Sequence, residues 1–98
     1  MGLLIPTGRK TVSEVTHTKP CLLGGVAVNT DGTNAAAVIV YDSAVPDATG
    51  KKEVWRSTDA GINNYGGLFP PHPIPMREGI YVVLSGTGAS FNVYEFVA

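Results

Sequence analysis

The sequence predicts an all-β fold: a single antiparallel β-sandwich, jelly-roll-like or Ig-like, with an extended N-terminal arm. Three observations carry this. No window repeats apolar residues at the helical spacing of i, i+3 and i+4. Short β-branched, alternating segments recur along the chain. Between them lie clusters of Gly, Asn, Asp, Ser and Pro, the residues of turns. The 98 residues suffice for one domain with a modest core. Residues 1–9 are read as the arm and residues 10–98 as the sandwich.

The arm, "MGLLIPTGR", is apolar at Leu3, Leu4 and Ile5 yet precedes the first alternating segment. These three side chains are therefore expected to pack on a neighbouring subunit. "KTVSEV" (Lys10 to Val15) alternates and is read as a strand. "CLLGGVAVN" (Cys21 to Asn29) follows, and Gly24-Gly25 in its middle suggests a bulge or a close backbone approach. Asp31-Gly32 reads as a hairpin turn leading into "AAVIVYD" (Ala36 to Asp42). "SAVPDATGKK" is a loop of turn formers, and "EVWRS" (Glu53 to Ser57) alternates again.

The most unusual stretch is "LFPPHPIPM", Leu68 to Met76, with four prolines in six residues from Pro70 to Pro75. Proline removes a backbone donor, so this segment suits a sheet edge or an extended strap rather than a central strand. Weak strands are expected near Leu68 and Ile74. As a strap, Leu68, Phe69, Ile74 and Met76 would touch a partner, with the prolines holding them extended. As a rigid crossover between the two sheets, the same residues would pack inside the chain. "GIYVVLS" (Gly79 to Ser85) and "FNVYEFV" (Phe91 to Val97) are the last strands. "GTGAS" between them is read as a tight hairpin, Gly86 and Gly88 supplying positive φ. The predicted core draws on Val12, Leu22, Val26, Val28, Ile39, Trp55, Ile80, Val82, Leu84, Val93 and Phe96. Val38–Tyr41 and Tyr81–Val83 are apolar on both faces, which in a sandwich points to a subunit contact.

Composition narrows the function classes. Charged residues make up 15% of the chain against a usual share of about 25%, so part of the surface is expected to be covered by neighbours. A net charge of −1 gives no general attraction to nucleic acid or an anionic membrane. No apolar run approaches the ~20 residues of a membrane span, and the start lacks the charge-first pattern of a signal peptide. Cys21 is the only cysteine and has no disulfide partner within the chain.

Candidate chemistry is sparse. His17, Cys21 and one carboxylate make a zinc set only on paper, short of the usual spacing. "SGTGAS" lacks the Lys-Ser/Thr pair and following helix of a phosphate loop. "NTDGTN" has partial calcium-loop spacing without the terminal Glu. Trp55 beside Arg56 reads as a core aromatic on a strand rather than a stacking platform. No catalytic residue, metal or cofactor is expected.

The stretches "GGVAVNTDGTNAAAVIVYD" and "REGIYVVLSGTGASFNVYEF", separated by a Gly-rich centre, resemble small β-sandwich virion proteins of tailed bacteriophages. The resemblance runs from Cys21 to Val97. It implies a non-catalytic virion structural protein, assembled in the host bacterial cytoplasm and residing in the virion. The leading expectation is a capsid decoration or cement subunit. It would be a homo-oligomer contacting the major capsid protein or neighbouring virion proteins, without nucleic acid or membrane partners. The alternatives are a head-tail connector or other neck component, or a carbohydrate or host-surface binding module on a fibre. In the last case Trp55, Tyr41, Tyr65, Tyr81 and Tyr94 would line a sugar platform.

Overall fold

A computed structural model describes residues 2–62 and 65–98. Nine strands form: β1 (Leu3–Pro6), β2 (Glu14–His17), β3 (Cys21–Asn29), β4 (Ala36–Asp42), β5 (Lys52–Asp59), β6 (Tyr65–Leu68), β7 (Ile74–Met76), β8 (Ile80–Ser85) and β9 (Ser90–Val97). No helix occurs among the described residues. One antiparallel sheet runs β1-β9-β3 and ends on β6 and β7, which both pair with β3; the other runs β2-β8-β4-β5.

The winding is that of a jelly roll. β6 and β7 occupy successive stretches of the same β3 edge, Leu68 opposite Val26 and Ile74 opposite Leu23. Taken as one interrupted strand, they make the pairs β1·β9, β2·β8, β3·β6/β7 and β4·β5. The chain is thus one long hairpin with its tip at the β4–β5 turn, rolled so that β9 also pairs with β3 and β8 with β4. That is the eight-strand, double-sheet arrangement of a jelly roll.

Two expected hairpins are corrected by this winding. β3 and β4 lie in different sheets, as do β8 and β9. The Asp31-Gly32 and Gly86–Gly88 turns therefore arch from one sheet to the other. Gly32, Gly86 and Gly88 do take positive φ, 90°, 113° and 72°. Turn residues report that the chain reverses, and they are silent on whether the flanking strands pair. The β4–β5 loop is a true hairpin, with Asp47 Oδ1 accepting from the Thr49 N–H at 2.9 Å.

The N-terminal arm is also corrected. Leu3–Pro6 is the edge strand β1, with Leu3 opposite Val97 and Pro6 opposite Tyr94. The second strand lies later than "KTVSEV". Lys10 still exchanges backbone hydrogen bonds with Phe91 of the first sheet, and only from Glu14 does the chain join the other. Val12, placed in the core from sequence, lies on this crossing and is 63% exposed.

The core between the sheets is Leu23, Val26, Val28, Val38, Val40, Met76, Ile80, Val82, Phe91 and Val93, each at most 1% exposed. Removing each such side chain from water stabilises the fold by about 1.5–3 kcal/mol. The register shift between Leu23 and Gly25 is the bulge that the glycine pair predicts. It reverses the alternation: Leu23 points inward before it, Val26 and Val28 after it. Leu22 consequently faces outward, opposite Phe96, and neither belongs to the core as expected. Ile39 likewise faces out, because its neighbours Val38 and Val40 take the inner positions.

The crossing from β7 to β8 is held by a buried carboxylate. Asp42 Oδ2 accepts the Arg77 N–H at 2.9 Å, and Oδ1 accepts those of Glu78 (2.8 Å) and Gly79 (3.4 Å). Burial pushes this carboxyl up, but the three N–H groups outweigh burial and hold it below its ordinary value. A depressed folded value contributes stability that is fully present above the ordinary carboxyl value of ~3.9 and is lost as pH falls through the folded value. Asp42→Asn is expected to cost about 2–3 kcal/mol at neutral pH. Its denaturant stability should then fall less steeply than wild type below about pH 4. Parallel acid dependences of the two proteins would contradict this role.

Candidate surface groove

The proline segment does not cross between the sheets. β6 leaves β3 at Phe69, arches outward through Pro70–Pro73, and returns to the same edge as β7. The arch stands opposite the β3 bulge. Pro75 is tolerated within β7 because that strand is an outer edge and its missing donor faces no neighbour.

Beneath the arch the outer sheet face is built for close contact. A Cβ on Gly25 would collide with the Phe69 ring, and one on Gly24 with Leu4 Cδ2. The two glycines thus let Phe69 and Leu4 settle directly on the β3 backbone. The Phe69 ring also lies against Tyr94, centroids 5.4 Å apart and tilted by 53°. Leu4, Phe96, Leu22 and Pro75 follow in one cross-strand row. A groove of about 200 Å³ results, lined by Leu4, Gly24, Phe69, Pro70, Pro71, Pro73 and Phe96. Every lining residue is apolar. Phe69 remains 55% exposed and Leu4 50%.

The seven residues expected at an interface therefore divide. Leu4 and Phe69 meet in the groove, while Leu3 and Ile5 are exposed on the opposite face of β1, 61% and 45%. Leu68, Ile74 and Met76 are corrected. They stand opposite Val26, Leu23 and Cys21 and so point to the inner face. Met76 is 1% exposed and Ile74 packs on the core. Pairing with β3 forces alternation on a segment that the prolines alone would leave uniformly extended. Sequence reasoning missed Leu22 and Phe96 as outward residues; for Leu22 the Gly24-Gly25 pair was the signal, since a bulge reverses the face, and for Phe96 it was the plain alternation from Val93 along β9.

The aromatics proposed as a sugar platform are dispersed. Tyr41 and Tyr81 stack on the outer face of the other sheet, centroids 6.1 Å apart, half-buried. Trp55 packs against the core, and Tyr94 lies under Phe69. The Tyr65 side chain lies outside the described residues.

The paper zinc set is brought partly together. His17 Nε2 is 3.3 Å from Glu95 Oε1, and both line a cleft of about 410 Å³ with Cys21. No group of three ligating side chains has metal-holding geometry among the described residues. The Cys21 thiol is pushed up to about 11, first by burial and then by the negative charges of Glu95 and Asp42. A thiol held protonated is the opposite of an activated nucleophile. Asp31 of the "NTDGTN" turn spends Oδ1 on the Thr33 and Asn34 N–H groups and Oδ2 on the Asn34 side chain, closing the turn on itself.

No protein-family model, curated protein or solved structure matches the chain.

Gly25→Ala is expected to expel the Phe69 ring and cost about 1–3 kcal/mol. Because the collision is with that ring, the cost should fall by at least half in a Phe69→Ala background. A double-mutant cycle by denaturant unfolding measures the difference, and strictly additive costs would show that the ring does not rest on Gly25.

Proposed function

We propose that this chain is a non-catalytic structural protein of a tailed-phage virion, a capsid decoration subunit that attaches through the groove face of its five-stranded sheet. The single observation that carries the reading is the exposed Phe69 ring, held by a proline arch over a glycine-floored groove whose lining residues are all apolar. Building such a site has a stability cost, since two mid-strand glycines each sacrifice roughly 0.5–1 kcal/mol of backbone entropy relative to alanine. Isolated exposed apolar residues need no explanation, whereas a contiguous apolar strip with shaped walls suits an interaction surface.

Two further features support a structural role. The low charged share of the chain, 15%, suits a protein whose surface is partly covered in an assembly. The jelly-roll winding is one that viral capsid domains use, though lectins use it too, and a fold by itself does not specify function. The stacked Tyr41–Tyr81 pair is the one feature favouring a carbohydrate-binding module instead. Titration with oligosaccharides, followed by tyrosine fluorescence, tests that second reading.

Phe69→Ala distinguishes attachment from folding. Fully burying a Phe is worth about 2–3 kcal/mol, and the ring is already about half covered, so losing it should weaken attachment about tenfold per contact. Occupancy on purified particles should drop accordingly, while the covered half of the ring costs the isolated domain only about 1 kcal/mol, a melting shift of about 4–8 °C. Unchanged occupancy with a large melting shift would overturn the reading, as would failure of the wild-type protein to copurify with a major capsid protein.

A further inference from the structure

The two sheets present four outer edges, and an open edge is a template for another strand unless something blunts it. β5 is blunted by Lys52, Glu53, Arg56 and Asp59. β2 carries the charged Glu14 and shifts register between Val15 and His17. The β6–β7 edge is broken by the arch. β1 has no charged residue, and Leu3, Leu4 and Ile5 stand 61%, 50% and 45% exposed.

The register fixes which backbone groups of β1 are free. The Thr7 N–H donates to the Val93 carbonyl at 2.9 Å. Thr7/Val93 continues the register of Ile5 opposite Glu95 and Leu3 opposite Val97. Hydrogen-bonded pairs alternate along an antiparallel ladder, so Leu3, Ile5 and Thr7 direct their backbone groups to β9. Gly2, Leu4 and Pro6 direct theirs to the open edge. Pro6 fits at such a position because it has no N–H to place there.

We propose that β1 pairs with β1 of a second copy of this chain, antiparallel about a twofold axis at Leu4, joining two sandwiches through one continuous sheet. The outward groups are self-complementary in this register. The Leu4 N–H donates to the carbonyl of Leu4 of the partner subunit and receives the reciprocal bond. Each Gly2 N–H donates to the carbonyl of Pro6 of the partner subunit. The contact is isologous, as a twofold requires, and the uncharged strand brings no like charges together. Leu4 and Phe96 extend the outer apolar strip across the axis; Leu3, Ile5 and Val97 do so on the other face.

The strip is small. Its side chains offer roughly a few hundred Å² per copy, below the ~800 Å² of a standard interface. Association is therefore expected at about 10 μM to 1 mM. The proposal is independent of the virion reading, because it is measured on the isolated protein.

Sedimentation equilibrium across that concentration range tests it. The wild-type mass should rise from 10.3 kDa toward twice that value. Leu4→Pro removes the N–H on the twofold, a group that no bond within the monomer uses, and should remain monomeric with an unchanged circular dichroism spectrum. Pro6→Ala adds an outward N–H that reaches the Gly2 carbonyl of the partner subunit. It should tighten the dimer about tenfold through two further hydrogen bonds. A wild-type protein that stays at 10.3 kDa throughout, or a Pro6→Ala variant no tighter than wild type, overturns the proposal. The second outcome holds even if Leu4→Pro fails to fold.

Discussion

The β-bulge at Gly24-Gly25 is the constraint from which the rest of the five-stranded sheet follows. A bulge inserts one extra residue on one strand and so reverses which side chains face in. Here it lets Leu23 and Val26, three positions apart, both enter the core. The extra residue leaves the pair of glycines on the outer face, where a Cβ at either would strike Leu4 or Phe69. The facing edge strand cannot follow the bulge closely and breaks into β6 and β7. The proline arch is the chain's detour around that break. Core phase, groove floor and interrupted edge are three consequences of one local geometry.

Asp42 performs a complementary task where the chain leaves β7 for β8. A jelly roll crosses repeatedly between its sheets, and each crossing leaves backbone donors without a ladder partner. An unpaired buried N–H costs about 1–3 kcal/mol. The Asp42 carboxylate takes three of them at once, at Arg77, Glu78 and Gly79. It comes from β4, the strand beside β8 in the other sheet, so the bond set clamps the incoming chain to the sheet it is about to join. The Lys51–Glu78 ion pair at 2.6 Å lies at the same crossing. It is exposed and adds little by itself.

The apolar surfaces are arranged about β1 and β9. The groove lies on the outer face, where the proposed partner would press against the sheet. The open edge of β1 lies at its side, where the proposed second copy would extend the sheet. A subunit using both would attach through its face while pairing with a copy of itself through its edge, and the two contacts meet at Leu4. That side chain belongs to the groove lining, and its backbone groups belong to the edge. Geometric economy of this kind suits a small assembling protein with little surface to divide among its neighbours.

Much of the fold was legible in the sequence. Alternation and turn residues are local properties, so they identified an all-β sandwich, most of its strands, and weak strands at Leu68 and Ile74. The Gly24-Gly25 pair announced its bulge because glycine in a strand interior has few other reasons to be there. What only the tertiary structure decided is which strands are neighbours and which face each residue presents. The "TDGTNA" and "GTGAS" turns look the same whether they close a hairpin or arch between sheets, since both need the same positive φ. Leu3–Pro6 looks like a free arm because its strand character comes from hydrogen bonding to β9, more than 90 positions away by the Leu3–Val97 register. Met76 and Phe69 share one proline-rich segment, yet one is core and the other surface. The difference is set by pairing with β3, and pairing between distant segments is a property of the folded chain alone.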